Sequence, residues 1–248
     1  MSRVRPAERP AVWMVRILSR TPPGVYLAVA LPVVMVIAAT ALQPWLPPSD
    51  LLRDSQVVAA GHGGESPAYG LISNMGIVVV ALSSGAAATG WLILHDAPAP
   101  ERRLLAWIAA LSLVLVLDDL LLLHEAAAFT PWAGALVGGA YGFAFLRFVM
   151  QFRDMILRDR DVGLLLLAVG SLGVSLVTDV LMAPTQLSVL VEDGAKLLGL
   201  VAWSAFVLRT ALFALGHQRT ARSAARSAAS SGARTSPDAT TTRRAAHH

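Results

Sequence analysis

The stretch LVLDDLLLLHEAA, residues 115–127, decides how the rest of the sequence is interpreted. It lies at the end of an apolar run that would, without its charges, be typical of a membrane-spanning helix. Two adjacent carboxylates, Asp118 and Asp119, lie inside the run, and His124 and Glu125 close it. Ionisable groups at membrane depth are costly, and they usually mark pairs or functional sites. The stretch therefore predicts a membrane helix with a polar site near one end.

The composition excludes an ordinary soluble domain. Hydrophobic residues make up 55% of the 248 residues and charged residues only 15%, which is poor material for a water-exposed surface. Cysteine is absent, so neither disulfides nor thiolate metal sites can form. The sequence also has no Gly-rich phosphate loop, HExxH pair, GxSxG elbow or nucleic-acid module. We therefore expect membrane lipids, and not nucleic acid, as partners.

Six apolar stretches have about the length that crosses the roughly 30 Å hydrocarbon core of a bilayer. They run from Val25 to Leu42, Leu71 to Leu94, Leu104 to Leu123, Ala133 to Val149, Val162 to Ala183 and Leu187 to Leu208. We therefore predict an all-α integral membrane bundle of six transmembrane helices within residues 25–216.

Arginines mark alternate connections between these helices. They occur before the first helix, between the second and third, between the fourth and fifth, and after the sixth. The other three connections hold a single basic residue, Arg53. Because basic loops stay on the cytoplasmic side, both termini should be cytoplasmic and the loop at about 43–70 extracytoplasmic. We expect the protein in the cell membrane, as in the inner or plasma membrane of a bacterium.

The two ends of the chain carry most of the remaining basic residues. Residues 1–24 form a basic segment, which we expect in the cytoplasm. From His217 onward the chain consists mainly of Ala, Ser, Thr and Arg, and we expect a disordered tail at 217–248, held near anionic lipid by its arginines. The first helix also has an alternative interpretation as a cleaved signal peptide, since basic residues precede it and ATA stands at 39–41.

On this topology, four helices bring polar groups to one depth near the extracytoplasmic surface. A carboxylate that faces lipid near the membrane centre costs about 2.5–3.5 kcal/mol. We therefore expect Asp118 and Asp179 to face the bundle interior. The polar groups at this depth are Ser73, Asn74, Asp118, Asp119, His124, Glu125, Asp179, Glu192, Asp193 and Lys196.

Helix geometry orders the charges of the third span. On an ideal helix Asp118 and Glu125 share a face, whereas Asp119 is turned about 100° from Asp118. We expect Asp119 to face the start of the second span, at Ser73 or Asn74. Charged residues at helix ends can also simply reach water, which is the alternative for Glu125.

Lys196 is the only lysine in the chain, against 19 arginines. It follows Glu192 at the i, i+4 spacing that favours a salt bridge. One interpretation is that Lys196 neutralises Glu192 or Asp179 within the bundle. A second is that its compact ammonium tunes a carboxylate site for ions or substrate. A third is a Schiff-base lysine.

The fourth span carries Gly134, Gly138 and Gly142 at four-residue spacing. Small residues at this spacing let two membrane helices approach closely. The pattern predicts helix packing at this face.

The polar groups permit two active functions and one structural function. In the first, Asp118, Glu125, Asp179 and Glu192 bind a divalent cation, Mg, Ca or Mn by their oxygen chemistry, or Zn with the help of His124. That ion would activate water against a lipid-like substrate, with Ser73 and His124 as candidate catalytic groups. In the second, the same carboxylates accept and release protons or cations during transport. In the third, the protein serves assembly or packing, and its charges are structural ion pairs. Asn74, Asp119, Asp193 and Lys196 are further polar residues of the predicted site.

Four segments carry a family resemblance: LISNMG, LDDLLLLHE, a helix that ends in TDV, and EDGAKLLG. Together they resemble a group of uncharacterised multi-pass membrane proteins of bacteria, over roughly residues 45–210. The chain is also distantly similar to the membrane hydrolases that include alkaline ceramidases. That resemblance implies zinc chemistry, with Ser73, Asp118 and His124 in comparable roles. The histidine cluster of those hydrolases is represented by His124, with His62 available from the loop.

Overall fold

The chain is all-helical in a computed structural model, which describes residues 18–95, 97–122, 131–183 and 185–234. Within these residues there are eight helices and no strand, as expected for an all-α protein. In chain order they are α1 (Pro23–Leu42), α2 (Pro48–Leu52), α3 (Ser55–His62), α4 (Leu71–Ile93), α5 (Ala99–Leu121), α6 (Pro131–Asp159), α7 (Val162–Leu181) and α8 (Gln186–Arg234).

Among the described residues, five helices are long and apolar enough to cross a membrane: α1, α4, α5, α7 and the part of α8 from Gln186 to Thr220. The prediction of an all-helical protein with helices that could span a membrane is therefore confirmed. The predicted fourth span lies within α6, which is helical but is not among these five.

Local sequence explains where several helices begin and end. Proline stands in the first turn of α1, α2 and α5, where its missing N–H costs no helical hydrogen bond. Gly63 ends α3 in the left-handed conformation, with a φ of 66°. Leu122 ends α5 with a φ of 51°, so α5 stops two residues before the predicted boundary at Leu123. A leucine in this conformation is uncommon and stores local strain.

The helix α8 is the centre of the bundle. It packs along α7 and α4 and also contacts α1 and α2, while α5 packs mainly on α4. The helix α6 packs against α8 through aromatic rings. Phe148 of α6 and Phe206 of α8 are both fully buried, and the ring centroid of Phe148 lies 6.3 Å from that of Trp203 of α8. Trp203 also donates from Nε1 to Ser112 Oγ of α5 at 2.9 Å. The core therefore lies around the middle of α8.

The C-terminal segment differs from the predicted disordered tail. The helix α8 continues from the membrane span to Arg234, so the prediction is wrong for residues 217–234. Alanine and arginine favour helices, and an existing helix extends without a new nucleation step. Residues 235–248 and the first 17 residues lie outside the described part of the chain.

The predicted glycine seam of α6 is not a packing surface among the described residues. A Cβ atom added at Gly138 or Gly142 would meet none of their atoms within 4 Å. Close packing occurs elsewhere, for example at Gly199, where an added Cβ would lie 2.6 Å from Cγ of Leu172. The surroundings of Gly134 are outside the described part. Close glycine packing therefore brings α8 against α7, and Gly163 of α7 lies closer still to the Tyr26 side chain of α1.

One end of the bundle, which we call the arginine end, gathers basic residues from separate segments. Arg209 of α8 pairs with Asp161, with Nε 2.7 Å from Oδ2. Thr21 donates to the same carboxylate at 2.9 Å. Arg20 donates to the carbonyl oxygens of Leu157 and Arg158. The segments before α1, between α6 and α7, and along the second half of α8 thus meet at one end.

The opposite end, which we call the capped end, is covered by the short helices α2 and α3. They contain the sequence that follows the first span, and α2 packs on both α4 and α8. Leu52 of α2 is only 2% exposed. The cap therefore lies directly over the starts of α4 and α8, where the sequence places its polar residues.

Candidate functional site

The capped end contains an ion pair between two spans. Lys196 Nζ of α8 lies 3.0 Å from Asp119 Oδ1 of α5, and the two side chains are 25% and 11% exposed. The expectation that Lys196 pairs with a site carboxylate is confirmed, but the partner is neither Glu192 nor Asp179. Asp119 was expected to face Ser73 or Asn74, and its ion pair is with Lys196, which lines the same cavity as Ser73. The packing of two spans, and not spacing along one helix, sets this pair.

Asp118 faces a different neighbour from Asp119, as helix geometry predicts. Its side chain is buried, at 8% exposure for the residue, and the Tyr141 hydroxyl of α6 hydrogen bonds to it. The prediction that Asp118 faces inward is confirmed. Tyr141 is a site residue that sequence reasoning missed. Its signal was a phenolic hydroxyl inside an otherwise apolar span, where such a group needs a partner.

Ser73 is tied to the cap. Its hydroxyl donates to Asp54 Oδ1 at 2.7 Å, and Asp54 immediately precedes α3. Asp54 is the second residue that sequence reasoning missed, and its only local signal was an acidic residue before a short amphipathic segment. The neighbouring Asn74 side chain is exposed. The structure therefore joins Ser73 to the loop that sequence reasoning left outside the site.

Gly70 fixes how the cap meets α4. Its N–H donates to the carbonyl oxygen of Asp50 at 2.8 Å. It has a φ of 64°, and an added Cβ would lie 2.5 Å from the backbone nitrogen of Ser55. Both the left-handed conformation and the close approach require glycine. The cap is thus held against the membrane helices by backbone contacts as well as by Ser73.

A small cavity lies beneath the cap. Its volume of about 10 Å³ has room for about one water molecule. Two titratable groups, Asp193 and Lys196, line it together with Ser73. The apolar part of the wall consists of Leu52, Ile72, Gly76, Leu197 and Leu200.

Asp193 has an unsatisfied atom at this cavity. Its Oδ2 is buried and has no hydrogen-bond partner among the described residues. Buried polar atoms almost always have a partner, so a water molecule or a proton on the carboxyl group would complete the site. The charged groups close enough to act on Asp193 are Glu192, Asp54, Lys196 and Arg53. Acidic groups therefore outnumber cationic ones around the cavity once Asp119 is included.

Asp179 does not enter the bundle. Its side chain is exposed, so the prediction that it faces inward is wrong. The inward face of α7 carries Ser171, Ser175 and Thr178, all less than 10% exposed. Asp179 is one residue beyond Thr178, and one residue turns the side chain by about 100° around the helix. Asp179 still lies near enough to half-buried Glu192 for charge repulsion.

The predicted metal ligands are not brought together by the described residues. Asp118 bonds to Tyr141, Asp179 is exposed, and Glu192 is half-buried near Asp179. His124 and Glu125 lie outside the described residues. Within the described part of the chain, no group of three or more His, Asp or Glu side chains could hold a metal ion.

Comparison with known proteins gives a family without an assigned activity. A family described as "Domain of unknown function (DUF8692)" matches residues 26–210, which is most of the chain. The chain belongs to the DUF8692 family. The DUF8692 match spans the bundle from α1 to the second half of α8 and includes Ser73, Asp119, Asp193 and Lys196. No curated protein and no solved structure is similar enough to the chain to match it.

Proposed function

We propose that this DUF8692 protein crosses the cell membrane six times, with α6 as the additional span and both termini in the cytoplasm. The meeting of the arginine-bearing segments at one end supports this arrangement, because basic loops are retained on the cytoplasmic side. The capped end then faces the extracytoplasmic space. A bacterial inner or plasma membrane fits this orientation.

We further propose that the capped end binds and releases protons as part of cation-coupled transport. The observation that carries this proposal is the buried Oδ2 of Asp193, which has no hydrogen-bond partner in the described residues and belongs to a carboxylate that lines a one-water cavity. A carboxylate in such a site is satisfied by taking up a proton or by contacting a small cation. Lys196, 3.0 Å from Asp119, supplies the fixed charge beside it.

In this proposal, the Lys196–Asp119 ion pair couples proton binding at Asp193 to the contact between α5 and α8. While Asp193 is neutral, Lys196 stays with Asp119 and holds α8 against α5. When Asp193 loses its proton, its carboxylate competes for the same ammonium group. The contact between α5 and α8 therefore becomes weaker in one protonation state, which is the kind of two-state element that coupled transport needs.

Infrared difference spectroscopy of the purified protein tests the proton site. Between alkaline and acidic pH, the wild type should gain a protonated-carboxyl band that Asp193→Asn lacks. Asp154→Asn is the matched control, because Asp154 is 75% exposed and far along α6. An unchanged band in Asp193→Asn would contradict the proposal. In proteoliposomes, Asp193→Asn should also lower the proton influx driven by an acid exterior.

A second candidate is hydrolysis of a lipid-like substrate with a divalent ion. The observation that favours it is that the Ser73 hydroxyl lies on the cavity wall and is bonded to the Asp54 carboxylate at 2.7 Å. Lys196 cannot act as the base for Ser73 while its ammonium is paired with Asp119. His124, Asp118, Glu125, Asp179 and Glu192 would be the groups available to hold an ion.

Metal content decides this second candidate. Purified wild-type protein should carry about one divalent ion per chain, and Asp118→Asn should lose it if the ion is held by that carboxylate. Equal metal content in the two proteins would remove Asp118 from the ligand set. Proton uptake by a metal-free wild type would leave transport as the function.

A further inference from the structure

His62, the last residue of α3, places both ring nitrogens against oxygen atoms. Its Nδ1 lies 3.0 Å from the carbonyl oxygen of Val58. Its Nε2 lies 3.4 Å from Oδ2 of Asp50 in α2. The ring also lies 5.1 Å, centroid to centroid, from the ring of Tyr69. His62 thus links the two helices of the cap and the turn that leads into α4.

The two oxygen partners favour one protonation state. A neutral imidazole has a single N–H and can donate to only one of these oxygens, and its other nitrogen then directs a lone pair at the second. The imidazolium donates to both, and its bond to Asp50 is then between opposite charges. Histidine is the side chain whose charge ordinarily changes between about pH 5 and 8. The contacts of His62 are therefore complete only when its ring is protonated.

The groups around His62 are consistent with a contact that strengthens in acid. Asp50 is the charged group that α2 presents to the ring, and its residue is only 6% exposed. Tyr69 is the titratable group from the turn before α4. In the link between α2 and α3, Asp54 accepts the hydrogen bond from Ser73. Because His62 itself is 48% exposed in its side chain, protons reach it directly from solvent.

The same contact controls the cover of the cavity. Asp50 and Leu52 belong to one short helix, and Leu52 forms part of the cavity wall. Asp50 also accepts the Gly70 N–H through its backbone, so α2 is held from two sides. Loss of the His62 contact leaves the Gly70 hydrogen bond and the packing of α2 on α4 and α8.

We propose that the His62–Asp50 pair is a pH-sensitive latch that closes the α2–α3 cap over the cavity in acid and loosens it at alkaline pH. The latch concerns access to the cavity and holds whether the cavity binds protons, metal ions or neither. Its sign follows from the geometry: acid adds the second N–H that both oxygens require.

Cysteine labelling of the purified protein measures how often the cap opens. The chain has no cysteine, so Leu197→Cys on the cavity wall is a unique target for a maleimide. Leu197 is partly buried at the cavity wall, so movement of the cap should raise its reaction rate. At each pH, the labelling rate of Leu197→Cys is compared with that of the double variant Leu197→Cys/His62→Gln. Because both proteins carry the same thiol, the pH dependence of the thiol itself cancels in the ratio.

At pH 5.5 the reporter should react about three- to tenfold more slowly with His62 than with His62→Gln, as expected for a partly exposed charge-assisted contact. At pH 8.5 the two rates should be equal. Asp50→Asn should abolish the protection in the same way as His62→Gln. Glu65→Cys, on the exposed turn after α3, is the control and should react equally in both backgrounds.

A rate ratio that stays the same at both pH values would overturn the latch. So would a Leu197→Cys reporter that remains unreactive in every background, because the cap would then not open at all. Neither result depends on Asp193, so the proton site and the latch fail or survive separately.

Discussion

At the scale of single residues, Lys196 and Asp193 have different polar contacts at the capped end. Lys196 makes a short contact with Asp119 across two spans, whereas Oδ2 of Asp193 has no hydrogen-bond partner among the described residues. The two residues are three positions apart on α8 and line the same cavity. A single helix therefore presents a paired ammonium group and a carboxyl oxygen without a hydrogen-bond partner among the described residues to the same small space.

Removal of the lysine should destabilise the protein. Breaking a fully buried pair costs about 3–5 kcal/mol, and partial exposure of this pair lowers the expected loss for Lys196→Met to about 1–3 kcal/mol. The double variant Lys196→Met/Asp119→Asn should recover most of that loss, because no unpaired charge then remains. Unfolding in mixed micelles measures both.

The exposed pair of α6 provides the control for this double-mutant cycle. Arg153 lies 3.8 Å from Asp154, and both side chains are more than 70% exposed. Arg153→Met should change the free energy of unfolding by less than about 0.5 kcal/mol. If the double variant lost as much as Lys196→Met alone, the Lys196–Asp119 contact would not be the source of the loss.

At the scale of elements, the cap is a separate structural unit that depends on one glycine. Gly70 lies where the chain turns from the cap into α4, and both its φ and its close contact with Ser55 exclude a side chain. The position of the cap in turn places Asp54 against Ser73 and Leu52 over the cavity. The backbone at one residue thus controls the access side of the site.

Alanine substitutions at the two glycines Gly63 and Gly70 distinguish the cost of conformational strain from the cost of a steric clash. Gly63 has a φ of 66°, but no described atom lies within 4 Å of an added Cβ, whereas Gly70 has both the φ of 64° and the clash. Gly63→Ala should therefore cost about 1 kcal/mol. Gly70→Ala should cost at least about 2 kcal/mol and should speed the labelling of Leu197→Cys. Equal thermal stabilities of the two variants would show that the close approach to Ser55 is not rigid.

Elements that depend on local sequence could be predicted, and contacts between elements could not. The length of the apolar runs placed α1, α4, α5 and α7 within a few residues, because bilayer thickness sets that length. The i, i+4 spacing predicted Glu192 as the partner of Lys196, but the partner is Asp119, which lies on another span. Asp179 was misplaced because a one-residue rotation, which puts Thr178 inside, depends on how α7 packs against α8. Asp54 entered the site through a loop whose position only the tertiary fold determines.

At the scale of the whole molecule, the two ends of the bundle differ in chemistry. The arginine end is held by the Arg209–Asp161 pair and by Arg20, and the capped end by Lys196 and its neighbouring carboxylates. Between them lies the aromatic and aliphatic core around Trp203 and Phe206. This separation gives the protein a direction across the membrane.

Orientation can be measured with single cysteines, since the chain has none of its own. In intact cells, a membrane-impermeant maleimide should label Glu65→Cys, which lies on the capped side. Thr220→Cys, on the extension of α8, should react only after the membrane is permeabilised, because the arginine end should be cytoplasmic. The opposite labelling pattern would reverse the orientation and move the polar site to the cytoplasmic surface.

The continuous helix α8 can transmit a tilt from one end of the molecule to the other. Its 49 residues correspond to a length of about 74 Å, well over twice the hydrocarbon core. Asp193 and Lys196 lie near one tip, and the segment from Leu215 to Arg234 extends beyond the packed bundle by about 28 Å. Each degree of tilt about a pivot near Leu215 would move the far tip by about 0.5 Å. A rearrangement of charge beneath the cap that tilted α8 would therefore displace the opposite tip of the helix.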